Sequence, residues 1–123
     1  MELEFLKTDF TVCKVESLDA LALQSRFCFV GRTDTELSLV CPTEDAPDET
    51  LAREDGWCGF RITGQLDFSL IGILADIAST LAKAGVSIFA VSTYDTDYVL
   101  IKREKLDAAT AALKNAGYTG LNV

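Results

Sequence analysis

The chain has 123 residues, 49% of them hydrophobic, with 11 basic side chains against 19 acidic ones and a formal charge of −8. That length supports one compact unit, built from two small halves, and a core burying roughly two-thirds of the unfolded surface without metals or disulfides. The acidic balance argues against nucleic acid or an anionic membrane as partner, and the lack of histidine removes the commonest general base and zinc ligand.

Cys13, Cys28, Cys41 and Cys58 contain no C-x-x-C pair and each lies in a strand-like run. They read as buried, reduced thiols, with disulfides or redox chemistry as the alternative. The N-terminal MELEFLKTDF has no basic stretch leading into an apolar one, and no run reaches membrane-spanning length. A cytoplasmic protein is the expectation.

Phe10 to Val15 has strand composition, and Ser17 to Leu23 has room for a helical turn or two capped by Ser17. Phe27 to Val30 and Leu37 to Cys41 are short strands around the turn-rich Gly31 to Glu36. Pro42 to Gly56 is an acidic connector, with a short helix predicted from Pro47 to Arg53 because proline suits a first helical turn. Trp57 to Thr63 then alternates, placing Cys58, Phe60 and Ile62 on one face of a strand.

Leu70, Leu74, Ile77, Ala78 and Leu81 recur at helical spacing. Asp67 or Ser69 is the expected cap, Gly72 falls in the first turn, and Gly85 suits the left-handed residue past the end. Val86 to Val91 and Tyr98 to Ile101 are strands around Ser92-Thr93-Tyr94-Asp95-Thr96-Asp97, more polar residues than a turn needs. Leu106, Ala109, Leu113 and Ala116 mark a second amphipathic helix, and Tyr118 to Val123 a last strand. Each helix has one apolar stripe, so both cover one face of a sheet. The fold class is therefore α+β, a ferredoxin-like βαββαβ sandwich over 56–123 preceded by a smaller β-rich half over 1–55. Cys28 to Val40 also lines up with Phe89 to Ile101 at an offset of 89 − 28 = 61, which an internal repeat or convergent hairpin chemistry explains equally well.

The run GVSIFAVSTYDTDYVLIKREKLDAATAAL, with Asp55-Gly56-Trp57 upstream, resembles the ACT domain. More narrowly it is similar to the subgroup holding the CASTOR-family arginine sensors and short single-chain bacterial proteins. The resemblance implies a non-enzymatic regulatory module, active as a homodimer, that binds a free amino acid at a joint between two ACT units. It makes the N-terminal half a degenerate ACT unit. It also implies that Ser87 and Ile88 receive the amino acid's polar head and that Thr93, Tyr94, Thr96 and Asp97 hold its other end. Phe68, Ser69, Leu70 and Gly72 would line the loop and first helical turn.

Exposed amides at a helix start favour a carboxylate. A strand-end aspartate can receive an ammonium or guanidinium, so Asp95 and Asp97 favour a basic ligand without fixing which. The plainer readings are exposed turn residues for Asp95 and Asp97, a strand residue for Ser87, a core or interface aromatic for Tyr94 and a packing glycine for Gly72. On those readings the chain is a ligand-free oligomerisation module. Gly64 to Ser69 holds neither an arginine for a phosphate cradle nor a cysteine pair for a metal. No catalytic residue, metal or cofactor is expected.

Overall fold

The computed structural model describes residues 1–63 and 72–121. Its elements are β1 (Leu3–Lys14), α1 (Ala20–Leu23), β2 (Phe29–Arg32), β3 (Leu37–Pro42), β4 (Ala52–Ile62), α2 (Ile73–Lys83), β5 (Ile88–Ser92), β6 (Asp97–Lys102) and α3 (Leu106–Asn115). Single 3-10 turns at Thr43–Asp45 and Arg103–Lys105 follow β3 and β6. The chain forms two compact units, Met1–Lys7 with Cys58–Val123, and Thr8–Trp57.

In the first unit the strand order is β1-β4-β6-β5. Alternation decides which side chains go inward: Cys58, Phe60 and Ile62 of β4 and Val99 and Ile101 of β6 share a core with Ile77 and Leu81 of α2 and Ala109 and Leu113 of α3. Phe5 packs edge-on against Phe60, with ring centroids 5.8 Å apart. Gly59 lies where β4 passes β6: a Cβ there would run into Leu100 Cδ2 and stand 2.9 Å from the Val99 carbonyl oxygen. In the second unit the order is β2-β3-β1-β4. Cys13, Val15, Ala22, Leu37, Leu39 and Cys41 form its core. Phe10 and Phe27 meet edge-on at 5.5 Å.

Several expectations change. The strand expected from Phe10 begins at Leu3; Glu2, Glu4 and Lys7 disguise its alternation, and Glu4 is paired with Arg61 at 2.8 Å. The helix expected over Pro47 to Arg53 is absent. Ala46, held extended before Pro47 (φ −67°, ψ 142°), leads into a segment whose Leu51 amide bonds the Lys14 carbonyl, and β4 begins at Ala52. Asp19 rather than Ser17 caps α1, its carboxylate accepting from the Ala22 amide. Gly72 is not inside the first turn of α2 but is its N-terminal boundary residue, at φ 91°. Among the described residues the last strand reduces to one parallel bridge between Glu2 and Thr119, and residues 122 and 123 of the expected strand lie outside them. Left-handed Gly117 and Gly120 bracket Tyr118 and Thr119, so the extended run is too short for a ladder.

The two hairpins have the same build. Phe29 pairs with Val40 through Arg32 with Leu37, and Ile88 with Ile101 through Ser92 with Asp97. Each turn closes with a threonine amide on a carbonyl three residues on: Thr33 to Glu36 at 2.9 Å and Thr93 to Thr96 at 2.8 Å. The structural correspondence is therefore 93 − 33 = 60, one residue less than the offset that letter matching suggests.

Gly59→Ala is expected to destabilise the protein by about 1–3 kcal/mol, because the neighbour on one side is backbone and on the other a fully buried leucine. Urea denaturation checks this; an unchanged midpoint contradicts the close approach of β4 and β6.

Candidate functional site

β4 ends at Ile62, and the turn between β5 and β6 stands against that end, where Thr96 Oγ1 donates to the Ile62 carbonyl at 2.6 Å. Since β6 runs antiparallel to β5, the hairpin tip and the exit of β4 towards α2 occupy one end of this unit's sheet. Thr93, Tyr94, Thr96 and Asp97 are thereby gathered together. Gly72 opens the helix that follows β4. Ser87 and Ile88 lie at the far end of β5, where Ile88 pairs with Ile101, about four residues or 13 Å along the strand. Phe68, Ser69 and Leu70, with the alternative cap Asp67, lie outside the described residues.

The hydroxyls at the tip have local work. Thr93 Oγ1 bonds the Thr96 carbonyl at 3.0 Å and accepts the Thr96 amide at 3.4 Å. Thr33 does the equivalent in the other hairpin, accepting the Thr35 and Glu36 amides at 3.2 and 3.1 Å. Both are side-chain braces of a turn. Tyr94 is fully exposed, Asp95 and Ser87 are exposed, and Ile88 and Asp97 are half-buried. Gly72 contributes no side-chain cap, and its carbonyl accepts the Asp76 amide at 2.8 Å. The helix start thus has no side chain of its own boundary residue over its amides, a geometry open to an anion.

Sequence reading missed the bond that anchors this helix. Tyr118, buried beyond α3, donates its hydroxyl to the Asp76 carboxylate in the first turn of α2. Nothing local signals a pair 42 residues apart. Burial, then the Asp76 contact, pushes the Tyr118 phenol up to about 12 from 10. On the sheet, Arg61 makes two bonds to Glu4, at 2.8 and 3.2 Å. Its guanidinium holds the Glu4 carboxyl below the usual range. No group of three or more metal-ligating side chains occurs among the described residues. A hollow of about 530 Å³ lies in the other unit, lined among others by Glu16, Asp19, Asp48, Glu49 and Leu51.

The family model described as the ACT domain matches residues 52–115, from β4 through α3. This chain belongs to the ACT domain family. ACT domains are regulatory, ligand-binding modules. A crystal structure of a protein from Agrobacterium tumefaciens is 31% identical, with a TM-score of 0.88 over 96% of this chain and 90% of that one. A Vibrio cholerae protein of unknown function, described as a possible transport protein, is 26% identical, with a TM-score of 0.71 over 93% and 88% of the two chains. The ligand-free regulatory subunit of aspartate kinase from Thermus thermophilus shares the fold at 14% identity, with a TM-score of 0.64 over 94% and 96%. These three structures share the mixed α/β fold over 96%, 93% and 94% of this chain, and no described helix is long and apolar enough to cross a membrane.

Tyr118→Phe is expected to lower stability by about 1.5–3 kcal/mol at neutral pH, the worth of a hydrogen bond to a carboxylate. The folded phenol titrates above its unfolded value, so its contribution is complete below pH 10 and disappears as the pH rises through about 12. Urea unfolding from pH 8 upward should show wild-type stability falling across that window and the variant's falling less.

Proposed function

We propose that this ACT protein is a non-enzymatic regulatory module that binds a free amino acid where two ACT units meet, and that it works as a homodimer. The observation that carries this reading is the placing of the hairpin tip beside the exit of β4, fixed by the Thr96–Ile62 bond. A helix start whose boundary residue, Gly72, makes no side-chain cap bond follows in the chain. In this reading the α2 start receives the carboxylate, and half-buried Asp97 faces the cationic end of a basic amino acid. Ser87 and Ile88, at the opposite end of β5, serve a site completed by a second unit rather than the same hollow. In this reading the Thr8–Trp57 unit is the degenerate partner, a view supported by a hairpin and a 3-10 turn that recur at an offset of 60 (103 − 43 = 60) and by a helix of 4 residues where α2 has 11. ACT membership of 52–115 supports the ligand class.

A second reading, a ligand-free assembly module, is favoured by one observation: the Tyr94 ring at the hairpin tip is fully solvent-exposed, an arrangement suited to docking.

Calorimetry with the common amino acids discriminates. Binding of a basic amino acid between micromolar and millimolar Kd, about 4–8 kcal/mol, is expected. Asp97→Asn should weaken it about tenfold or more, the worth of a charged hydrogen bond. No response from any amino acid by a correctly folded protein overturns the sensor reading. Light scattering on Tyr94→Ala addresses the second: a loss of oligomer there, with Asp97→Asn unaffected, supports assembly without ligand.

A further inference from the structure

Three of the four cysteines occupy one small core. Cys13 and Cys41 are buried in the cluster under α1, and half-buried Cys28 packs against it. All are reduced in the structure. Strand register separates their relationships. In the β2–β3 ladder each pair of partners sums to one value, 29 + 40 = 69 to 32 + 37 = 69; Cys28 directly precedes β2, and the same register carried one step past the ladder's last pair sets it opposite Cys41, 28 + 41 = 69. The Thr33 amide bonds the Glu36 carbonyl, so Thr33–Glu36 is a hydrogen-bonded pair. Alternation along the antiparallel ladder then makes Arg32–Leu37 and Val30–Leu39 non-hydrogen-bonded pairs, and the same alternation continued one step past the ladder gives Cys28 and Cys41 that geometry. In such pairs the Cα atoms stand about 4.5 Å apart, inside the span of about 4.4–6.8 Å that a disulfide bridges.

Cys13 is placed differently. It lies opposite Leu39, and Cys41 lies opposite Thr11, so Cys13 and Cys41 are diagonal neighbours. Diagonal separations of about 7–8 Å exceed disulfide reach. Cys13 and Cys28 have β3 between them, two strand spacings or about 9.5 Å. Cys58 belongs to the other compact unit.

We propose that Cys28 and Cys41 form a reversible cross-strand disulfide, a redox latch across the open end of the β2–β3 hairpin. The oxidant is a small disulfide such as oxidised glutathione. The Cys28 thiolate, on the more exposed residue, attacks one glutathione sulfur and expels a glutathione thiolate. The Cys41 thiolate then attacks the Cys28 sulfur of the mixed disulfide and expels the second. Two protein thiols give up two electrons and two protons, and one small disulfide becomes two thiols. Burial raises the thiols of Cys28 and Cys41, the latter to about 12. Both thiols are therefore mostly protonated at neutral pH, and exchange with a small disulfide is slow, speeding up as the pH rises. The inference is independent of the amino-acid reading.

The test is incubation of the full chain, folded by near-UV circular dichroism, in glutathione buffers of graded oxidised-to-reduced ratio. Acid quench, alkylation of remaining thiols after denaturation and peptide mapping follow. The expected product is a Cys28–Cys41 peptide pair with Cys13 and Cys58 alkylated, reversed by dithiothreitol and accompanied by a higher urea midpoint. Cys13→Ser should retain the bond, and Cys28→Ser should lose it while keeping the reduced wild type's midpoint within a small margin. Four alkylated cysteines at every ratio, a persistent glutathione adduct on Cys28 with Cys41 alkylated, or a bond that involves Cys13 each overturn the proposal.

Discussion

A single side-chain bond, from Thr96 Oγ1 to the Ile62 carbonyl, determines what the conspicuous polar hairpin can do. The turn after β5 is already closed by the bonds between Thr93 and Thr96; this bond pins the closed turn to the last residue of β4, the point from which the chain leaves for α2. The bond's length of 2.6 Å and the Thr93 brace at 3.0 Å restrict the tip from two sides. A restricted tip holds Asp97 in a defined place, with the loop entropy of the turn already removed. Much of the polar surplus in Ser92 to Asp97 is therefore spent on building the turn.

Periodicity revealed the parts of the fold in which each residue's partner is a near neighbour. The β5–β6 hairpin, the apolar stripes of α2 and α3 and the inward set Cys58, Phe60 and Ile62 all follow from alternation or helical spacing over a few residues. The front of β1 escaped because its charges are paired across the sheet, Glu4 with Arg61, so polarity there did not mean a loop. The expected Pro47 helix failed for a related reason: the segment's amides had a better partner in Lys14 of β1, a contact no local pattern encodes. Within the candidate site, Thr93 and Thr96 were legible as residues but not as braces. Tyr118, which holds the first turn of α2, was legible only as strand material.

The near-coincidence of the two hairpins is instructive about what similarity of letters measures. Aligning Asp34-Thr35-Glu36 with Asp95-Thr96-Asp97 favours chemical likeness, whereas the backbone aligns Thr33 with Thr93, the residues whose amides close the turns. The covalent geometry of a two-residue turn is stricter than the identity of its exposed side chains. One position of slip is enough to set Tyr94, a fully exposed aromatic, against Asp34 rather than against Thr33. The two tips thus share a scaffold while offering different surfaces.

β1 and β4 each pass from one compact unit into the other, since the boundaries after Lys7 and after Trp57 fall inside Leu3–Lys14 and Ala52–Ile62. Division at either boundary would sever a strand in the middle of its ladder and bare a row of unpaired amides, the surface most prone to aggregate. Neither half is thus a portable cassette that could be trimmed off or grafted elsewhere. Insertions and fusions belong outside both strands and away from the β5–β6 tip, and the two units make one genetic cassette.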